Sequence, residues 1–213
     1  MLNGIINVYK EVGFTSRDAV SKLTGILRQR KIGHTGTLDP AAEGVLPMCI
    51  GKATKLCELL TDHRKQYIAE IKFGIATDTE DTTGEIVEET GFSNEWYKEH
   101  LSEAVLSKVI SGFIGRQLQT PPMYSAKRVG GKRLYELARE GKVIERKPCE
   151  ITIYSIQIKN IDASRREATI VVDCSKGTYI RTLCKDIGDE LGCKAAMKSL
   201  IRTKTGDFLL ENS

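Results

Sequence analysis

The 213-residue sequence contains no apolar run that approaches the ~20 residues of a membrane-spanning helix. Its start, Met1–Lys10, lacks the basic residues and the long apolar stretch of a secretion signal. These two absences predict a cytoplasmic protein without a membrane partner. A chain of this length buries roughly 70% of its unfolded surface, so it needs no disulfide or metal to fold.

Paired metal ligands are also missing. The six cysteines form no C-x-x-C pair, and the three histidines (His34, His63 and His100) are scattered. A zinc site needs clustered ligands, so we predict no metal and expect the cysteines to be buried free thiols.

Net charge is only +4, but it is distributed unevenly. Residues 77–104 carry nine acidic residues and one lysine, whereas residues 108–148 carry ten basic residues and three acidic ones. A basic block beside an acidic one is typical of a surface that faces an anion such as nucleic acid. A solvated basic face is the alternative that charge alone leaves open.

Hydrophobic periodicity predicts an α+β fold with a mixed, largely antiparallel sheet flanked by helices and loops. The alternating segment Lys65–Phe73 is typical of a half-buried strand, and Thr15–Arg28 of a helix that Thr15 and Asp18 cap. The other predicted helices cover 54–60, 94–113, 133–139 and 179–191. The other predicted strands cover 4–9, 45–50, 85–89, 150–159, 167–174 and 199–207, with residues 29–44 irregular.

The segment Gly33–Leu46 (GHTGTLDPAAEGVL) is dense in residues that constrain the backbone. Gly33 and Gly36 permit conformations closed to other residues, and Pro40 keeps Asp39 out of the helical region. Asp39 is therefore predicted to project from a constrained loop. The alternative is that Asp39 caps a short turn over Pro40–Glu43.

Two further segments suggest anion binding. In Cys174–Leu183 (CSKGTYIRTL), Arg181 lies in the first turn of a predicted helix, where the helix dipole opposes a cation, so it calls for a carboxylate or phosphate partner. In Thr120–Leu137, Lys132 and Arg133 are candidates to grip phosphates beside two tyrosines. For Arg181, the alternative is a solvated arginine on the surface. For Thr120–Leu137, the alternative is a loop whose tyrosines belong to the core.

One apparent nucleotide motif fails. Gly44–Ala53 (GVLPMCIGKA) lacks the first glycine and the final Ser or Thr of a phosphate-binding loop. A nucleotide-binding enzyme is thus disfavoured.

Taken together, the segments resemble the TruB family of tRNA pseudouridine synthases. The resemblance runs in family order along nearly the whole chain. It is carried by Gly33–Leu46, Lys65–Tyr67 (KQY), Thr77–Gly84 (TDTEDTTG), Pro122–Lys127 (PMYSAK), Gly131–Tyr135 (GKRLY) and Cys174–Thr182 (CSKGTYIRT).

The resemblance implies a pseudouridine-synthase fold in which Asp39 is the nucleophile, Tyr67 the active-site tyrosine and Arg181 the ion-pair partner of Asp39. The remaining implied positions contact the substrate: His34 enters the RNA where the target base leaves, Tyr179 and Leu200 line the pocket, and Lys10 belongs to a positioning segment. Lys10 is followed by Glu11 where the family usually has proline, which puts the shape of that segment in doubt.

The implied reaction converts the uridine at position 55 in the T-loop of tRNA to pseudouridine without a cofactor. The expected partner is the tRNA T-stem-loop, and the expected state is a monomer. Bacterial members usually continue into an RNA-binding PUA domain, so residues 1–213 are predicted to be a single catalytic domain without it. The alternative is a non-catalytic RNA-binding or tRNA-folding protein.

Overall fold

The computed structural model describes residues Met1–Ser213. Its helices are α1 (Ser16–Leu27), α2 (Cys57–Thr61), α3 (Asn94–His100), α4 (Glu103–Ser111), α5 (Leu134–Arg139) and α6 (Ile180–Leu191). Short 3-10 helices cover Gly51–Leu56 and Leu210–Asn212. None of these helices has the length and apolar character required to span a membrane.

The strands are mostly short. They are β1 (Gly4–Ile6), β2 (Tyr9–Lys10), β3 (Ile32–His34), β4 (Glu43–Val45), β5 (Met48–Ile50), β6 (Lys65–Phe73), β7 (Ile75–Thr77), β8 (Ile86–Glu89), β9 (Gly115–Gln119), β10 (Arg128–Val129), β11 (Lys132–Arg133), β12 (Cys149–Asp162), β13 (Glu167–Cys174), β14 (Ala195–Thr205) and β15 (Phe208–Leu209).

The chain forms two compact units. The first unit comprises Met1–Ile68, Asp173–Lys176 and Leu200–Ser213, and the second comprises Ala69–Val172 and Gly177–Ser199. Strands β6, β13 and β14 contribute residues to both units.

The first unit contains a small antiparallel sheet in the order β1-β5-β3 and the strand order β2-β4-β14-β6-β13, with β15 on β14. The pairing of β4 with β14 is parallel and sets Gly44 opposite Arg202. Helix α1 begins with a capping box in which Thr15 and Asp18 bond each other's backbone N–H groups. Its Leu23 packs with Leu46 and Met48 in a buried cluster.

The second unit has the strand order β14-β6-β13-β12-β9, in which β9 and β12 are antiparallel. Two hairpins, β7–β8 and β10–β11, stand apart from this sheet. Helix α4 packs against β12 and α6 and buries Leu106 and Ile110. Helix α6 buries one side through Leu183 and Ile187.

The predicted α+β class with a mixed, largely antiparallel sheet is confirmed. Three element predictions were wrong. Residues 4–9 form two strands, with Ile5 and Ile6 exposed rather than buried. Residues 94–113 form two helices, because the backbone leaves the helical region at Leu101. The irregular segment 29–44 contains β3 and the first residues of β4.

Candidate active site

Asp39 projects from a loop that hydrogen bonds hold on both sides. The buried hydroxyl of Ser16 accepts from the Leu38 N–H at 2.8 Å and donates to the Leu38 carbonyl at 3.1 Å. On the other side, the Gly13 N–H donates to the Pro40 carbonyl at 2.8 Å. The Asp39 carbonyl accepts from the Ala42 N–H and closes a tight turn. The half-buried Asp39 therefore stands on a fixed backbone.

Arg202 on β14 holds the same loop from within, although its side chain is only 1% exposed. Its Nε donates to the Val45 carbonyl at 2.7 Å, and its Nη2 to the Gly36 carbonyl at 3.2 Å. Its Nη1 lies 3.4 Å from the Thr37 carbonyl. Sequence analysis missed this residue. The available signal was alternation, since Arg202 shares a strand face with the predicted pocket residue Leu200, which is also buried.

Tyr67 lies on the buried face of β6, a strand in which every second residue is buried. Burial raises the pKa of the Tyr67 hydroxyl above its ordinary value. A hydrogen bond from Arg202 and its charge lower that pKa, and the nearby Asp39 carboxylate raises it. The predicted tyrosine and the predicted nucleophile thus influence each other electrostatically.

Two buried lysines lie near this loop. Lys10 donates to the carbonyls of Glu11 and Phe14, and Lys65 donates to those of Thr61 and His63. The pKa of each ammonium is lowered to about 8, mainly by burial and also by the charge of Arg202. Asp39 acts in the opposite direction on Lys10, so this predicted positioning residue lies in the electrostatic field of the predicted nucleophile.

His34 is partly buried at the end of β3. Its Nδ1 lies 3.3 Å from the Gly36 N–H, which donates to it. Burial lowers the pKa of the imidazole, and the charge of Arg202 adds to this effect. A neutral ring suits a side chain that is predicted to stack against RNA bases.

Arg181 lies in the first turn of α6 in the second unit and is only 5% exposed. Its Nη1 donates to the Thr79 carbonyl at 2.9 Å and its Nη2 to the Tyr124 carbonyl at 2.8 Å. Nη1 also lies 3.7 Å from a carboxylate oxygen of Asp81. The alternative of a solvated surface arginine is therefore wrong.

Asp81 lies in Thr77–Gly84, one of the segments that resemble the family, but sequence analysis assigned it no role. Its Oδ1 accepts from the hydroxyls of Thr79 and Thr83 and from the Thr83 N–H. The carboxylate is buried and fixed by these bonds, so the guanidinium of Arg181 meets an immobile partner.

Tyr179 precedes α6, and Gln119 fixes its backbone. The Tyr179 N–H donates to Gln119 Oε1 at 2.8 Å, and Gln119 Nε2 donates to the Tyr179 carbonyl at 3.0 Å. The amide of Gln119 is buried, so this reciprocal pair fixes the backbone at the residue that precedes α6.

Lys132 and Arg133 form the second strand of the exposed β10–β11 hairpin. Lys132 lies 3.6 Å from Glu140 in a solvent-exposed pair. Arg133 donates to the Tyr135 hydroxyl and lies over its ring. Tyr135 is partly buried, so the alternative of a tyrosine that packs rather than stacks on bases stays open.

The first unit thus gathers Asp39, Tyr67, Lys10 and His34 around Arg202, and the second unit orders Arg181 and Tyr179. The predicted Asp39–Arg181 pair joins residues of different units and stays a prediction. No group of three or more His, Cys, Asp or Glu side chains is arranged to hold a metal. All six cysteines are free, and four of them are buried.

Family comparison assigns the chain to a class of RNA-modifying isomerases, the pseudouridylate synthases. Residues 24–180 match the TruB family pseudouridylate synthase N-terminal domain. Residues 181–213 match the tRNA pseudouridylate synthase B C-terminal domain. The chain belongs to the TruB family.

Relatives named tRNA pseudouridine synthase B align with the whole chain. The protein from Lachnoclostridium phytofermentans is 56% identical over 218 residues, and that from Alkaliphilus oremlandii is 50% identical over 212 residues. The chain covers 69% and 68% of these two relatives, respectively.

Solved structures share the fold. A Cbf5-Nop10-Gar1 complex contains a chain with TM-score 0.72 and 30% identity over 97% of this chain. An H/ACA RNP bound to a substrate RNA containing 2'-deoxyuridine gives TM-score 0.68 and 27% identity, also over 97% of this chain. This chain spans about half the length of each, 50% and 48%.

Proposed function

We propose that this protein converts the uridine at position 55 in the tRNA T-loop to pseudouridine, with Asp39 as the nucleophile. The observation that carries the proposal is that hydrogen bonds fix the backbone of the loop that bears Asp39. Its loop is bonded by Ser16 on one side and Gly13 on the other, and the buried Tyr67 lies within its electrostatic reach. A nucleophile held in one geometry gains from orientation, which contributes several kcal/mol to many enzymatic reactions.

The reaction breaks the glycosidic C–N bond and rejoins the same base to the ribose through carbon. The target uridine lies inside folded RNA, so it must flip out of its stack at a cost of a few kcal/mol. His34 is suited to occupy the vacated space, because it is partly exposed and its ring is held neutral. Tyr67 offers a π face to the uracil, and Tyr179 and Leu200 complete the proposed pocket.

Asp39 must be ionised to attack. In the proposed active arrangement the guanidinium of Arg181 aims the Asp39 carboxylate, and Asp81 and two backbone carbonyls hold that guanidinium in place. Arginine suits this role because its planar group serves several acceptors at fixed angles. The isomerisation is redox-neutral and calls for no cofactor. The T-stem-loop is the proposed partner.

The direct test is pseudouridine formation in unmodified tRNA, mapped by position, with the full chain and its Asp39→Asn variant. We expect product at position 55 with the parent protein, and unchanged RNA affinity but no product with Asp39→Asn. Asp207→Asn, which alters an exposed turn carboxylate of the same unit, is the matched control and should stay active.

Each alternative outcome has a distinct meaning. Tight tRNA binding without product by the parent protein would favour the non-catalytic RNA-binding function. Product at another uridine would overturn the T-loop assignment alone. An active Asp39→Asn protein would remove Asp39 from the nucleophile role.

A further inference from the structure

The buried guanidinium of Arg202 contacts both ends of the Asp39 loop. Gly36 and Thr37 precede Asp39, Val45 follows it, and all three carbonyls face the guanidinium. A guanidinium has five N–H donors in one plane, whereas a lysine ammonium is a compact point donor. Arginine can therefore bridge the two ends of this loop where lysine could not.

Arg202 also reaches the catalytic tyrosine of the proposed reaction. Its charge and its N–H donors lower the pKa of the Tyr67 hydroxyl, which lies on the buried face of the neighbouring strand β6. The same guanidinium thus connects the Asp39 backbone to the Tyr67 side chain. Displacing it would change the position of one relative to the other.

The backbone of Arg202 fixes the exit of the loop as well. Arg202 pairs with Gly44 in the parallel β4–β14 ladder. Gly44 adopts a φ of +109°, which favours glycine, and approaches the Arg202 backbone too closely for any side chain. Arg202 therefore restrains the entry of the Asp39 loop through its side chain, and the exit through both its side chain and its backbone.

The charge of Arg202 acts on four groups around this loop. It lowers the pKa values of Tyr67, His34, Lys10 and Lys65, in each case as a neighbouring positive charge does. Arginine stays protonated throughout the physiological range, so this charge is permanent. Burying a cation is costly unless it is bonded on several sides, and such a costly group in a site is a candidate for function.

We propose that Arg202 is a positioning residue for the reaction, which locks the Asp39 loop and the Tyr67 hydroxyl into one arrangement. This inference rests on the proposed function. The inference goes beyond that function because Arg202 needs no contact with RNA. Its side chain is almost fully buried, and its hydrogen bonds are to backbone carbonyls of the protein. Its loss should therefore reduce the rate of the chemical step without weakening RNA binding.

The test uses the full chain, its Arg202→Lys and Arg202→Gln variants, and Arg17→Gln on the exposed side of α1 as the control. We expect the single-turnover rate at saturating tRNA to fall roughly 100-fold in Arg202→Gln, the size of effect that a 1 Å misplacement produces. Arg202→Lys keeps the charge and should recover part of that rate. The Kd for tRNA should be unchanged in all variants.

A second measurement is independent of turnover. With 3-fluorotyrosine at position 67, fluorine NMR follows the Tyr67 titration. Arg202→Gln should move its midpoint to higher pH, and the midpoint of Arg202→Lys should lie between those of the parent and Arg202→Gln.

Folded variants that keep the parent rate and midpoint would overturn the proposal. Failure of both variants to fold would overturn it too, since Arg202 would then serve stability alone. If the parent protein makes no pseudouridine, the proposed function fails, and the Tyr67 titration still decides whether Arg202 controls that hydroxyl.

Discussion

A side-chain carbon on Gly44 would lie 2.3 Å from the backbone oxygen of Arg202. No Cβ tolerates this distance, and the positive φ of Gly44 adds strain for any other residue. We therefore expect Gly44→Ala to push β4 away from β14 and to destabilise the fold by about 2–4 kcal/mol. Urea unfolding followed by circular dichroism measures this loss, and the single-turnover rate should fall with it because β4 ends the Asp39 loop.

Gly25→Ala is the matched control. Gly25 lies in the interior of α1, and an added Cβ meets no atom within 4 Å. Alanine there should stabilise the protein by about 0.5–1 kcal/mol, since glycine disfavours helix interiors. If both variants shift stability in the same direction, the close approach of β4 and β14 does not exclude a side chain at position 44.

Elements whose boundaries depend on residues close together in the chain could be predicted from the sequence. Thr15 and Asp18 predicted the start of α1, because a capping box depends only on residues three apart. The break between α3 and α4 has an equally local signal that was missed. Ser102 precedes α4 as Ser93 precedes α3, and serine is a preferred residue immediately before a helix, although only Ser93 caps its helix with its side chain.

The interior of the site was less predictable. The residues whose carbonyls Arg202 contacts lie 157–166 positions away in the chain, and alternation with Leu200 indicates only which face of the strand Arg202 shares, not its partners. Asp39 could be singled out because glycine and proline constrain its loop locally. The group that completes the loop comes from tertiary packing, which a single sequence does not encode at short range.

Arg181→Lys is expected to reduce activity far more than stability. Lysine keeps the charge but cannot serve the Thr79 and Tyr124 carbonyls together, so the cation will move. We expect the free energy of unfolding to fall by about 1 kcal/mol per lost hydrogen bond and the single-turnover rate to fall at least roughly 100-fold. Comparable, small losses in both would reduce Arg181 to a structural residue.

Arg165→Lys is the control for this substitution, because Arg165 is exposed and pairs with Glu167 at the surface of the same unit. An exposed pair contributes little, so stability and rate should both stay near the parent values. A rate loss in the control equal to that in Arg181→Lys would point to a general sensitivity to arginine replacement.

Neutralising Lys132 and Arg133 should reduce the salt dependence of tRNA binding. If each grips a phosphate, Lys132→Gln with Arg133→Gln should lower the slope of log Kd against log salt by roughly 1.4–1.8. The exposed Lys132–Glu140 pair contributes little to the fold, so stability should change slightly. Binding of tRNA at several salt concentrations gives the slope.

Arg116→Gln with Lys159→Gln removes the same two residue types from exposed positions on β9 and β12. That control should leave the slope near the parent value. An equal decrease in both double variants would mean that net charge, rather than the β10–β11 hairpin, sets the salt dependence.

The pKa of Lys10 makes the stability of the first unit depend on pH. This pKa is lowered from 10.5 to about 8, mainly by burial and also by the charge of Arg202, while Asp39 and Glu43 act in the opposite direction. Between about pH 8 and 10.5 the unfolded chain binds the Lys10 proton while the folded chain releases it. This lysine therefore disfavours folding fully below pH 8, and the penalty is relieved as pH rises to 10.5.

Lys10→Met removes that penalty together with the two hydrogen bonds that Lys10 donates. The free energy of unfolding of the variant, relative to the parent, should therefore be highest near pH 7 and decline steadily as pH rises from 8 to 10.5. Urea unfolding at intervals across this range measures the difference, in which the titrations of other groups cancel. Lys204→Met, at an exposed position on β14, should give a difference that does not change with pH. A pH-independent difference for Lys10→Met as well would mean that Lys10 stays charged in the folded protein, and that its ammonium is matched to the Asp39 carboxylate rather than strained by burial.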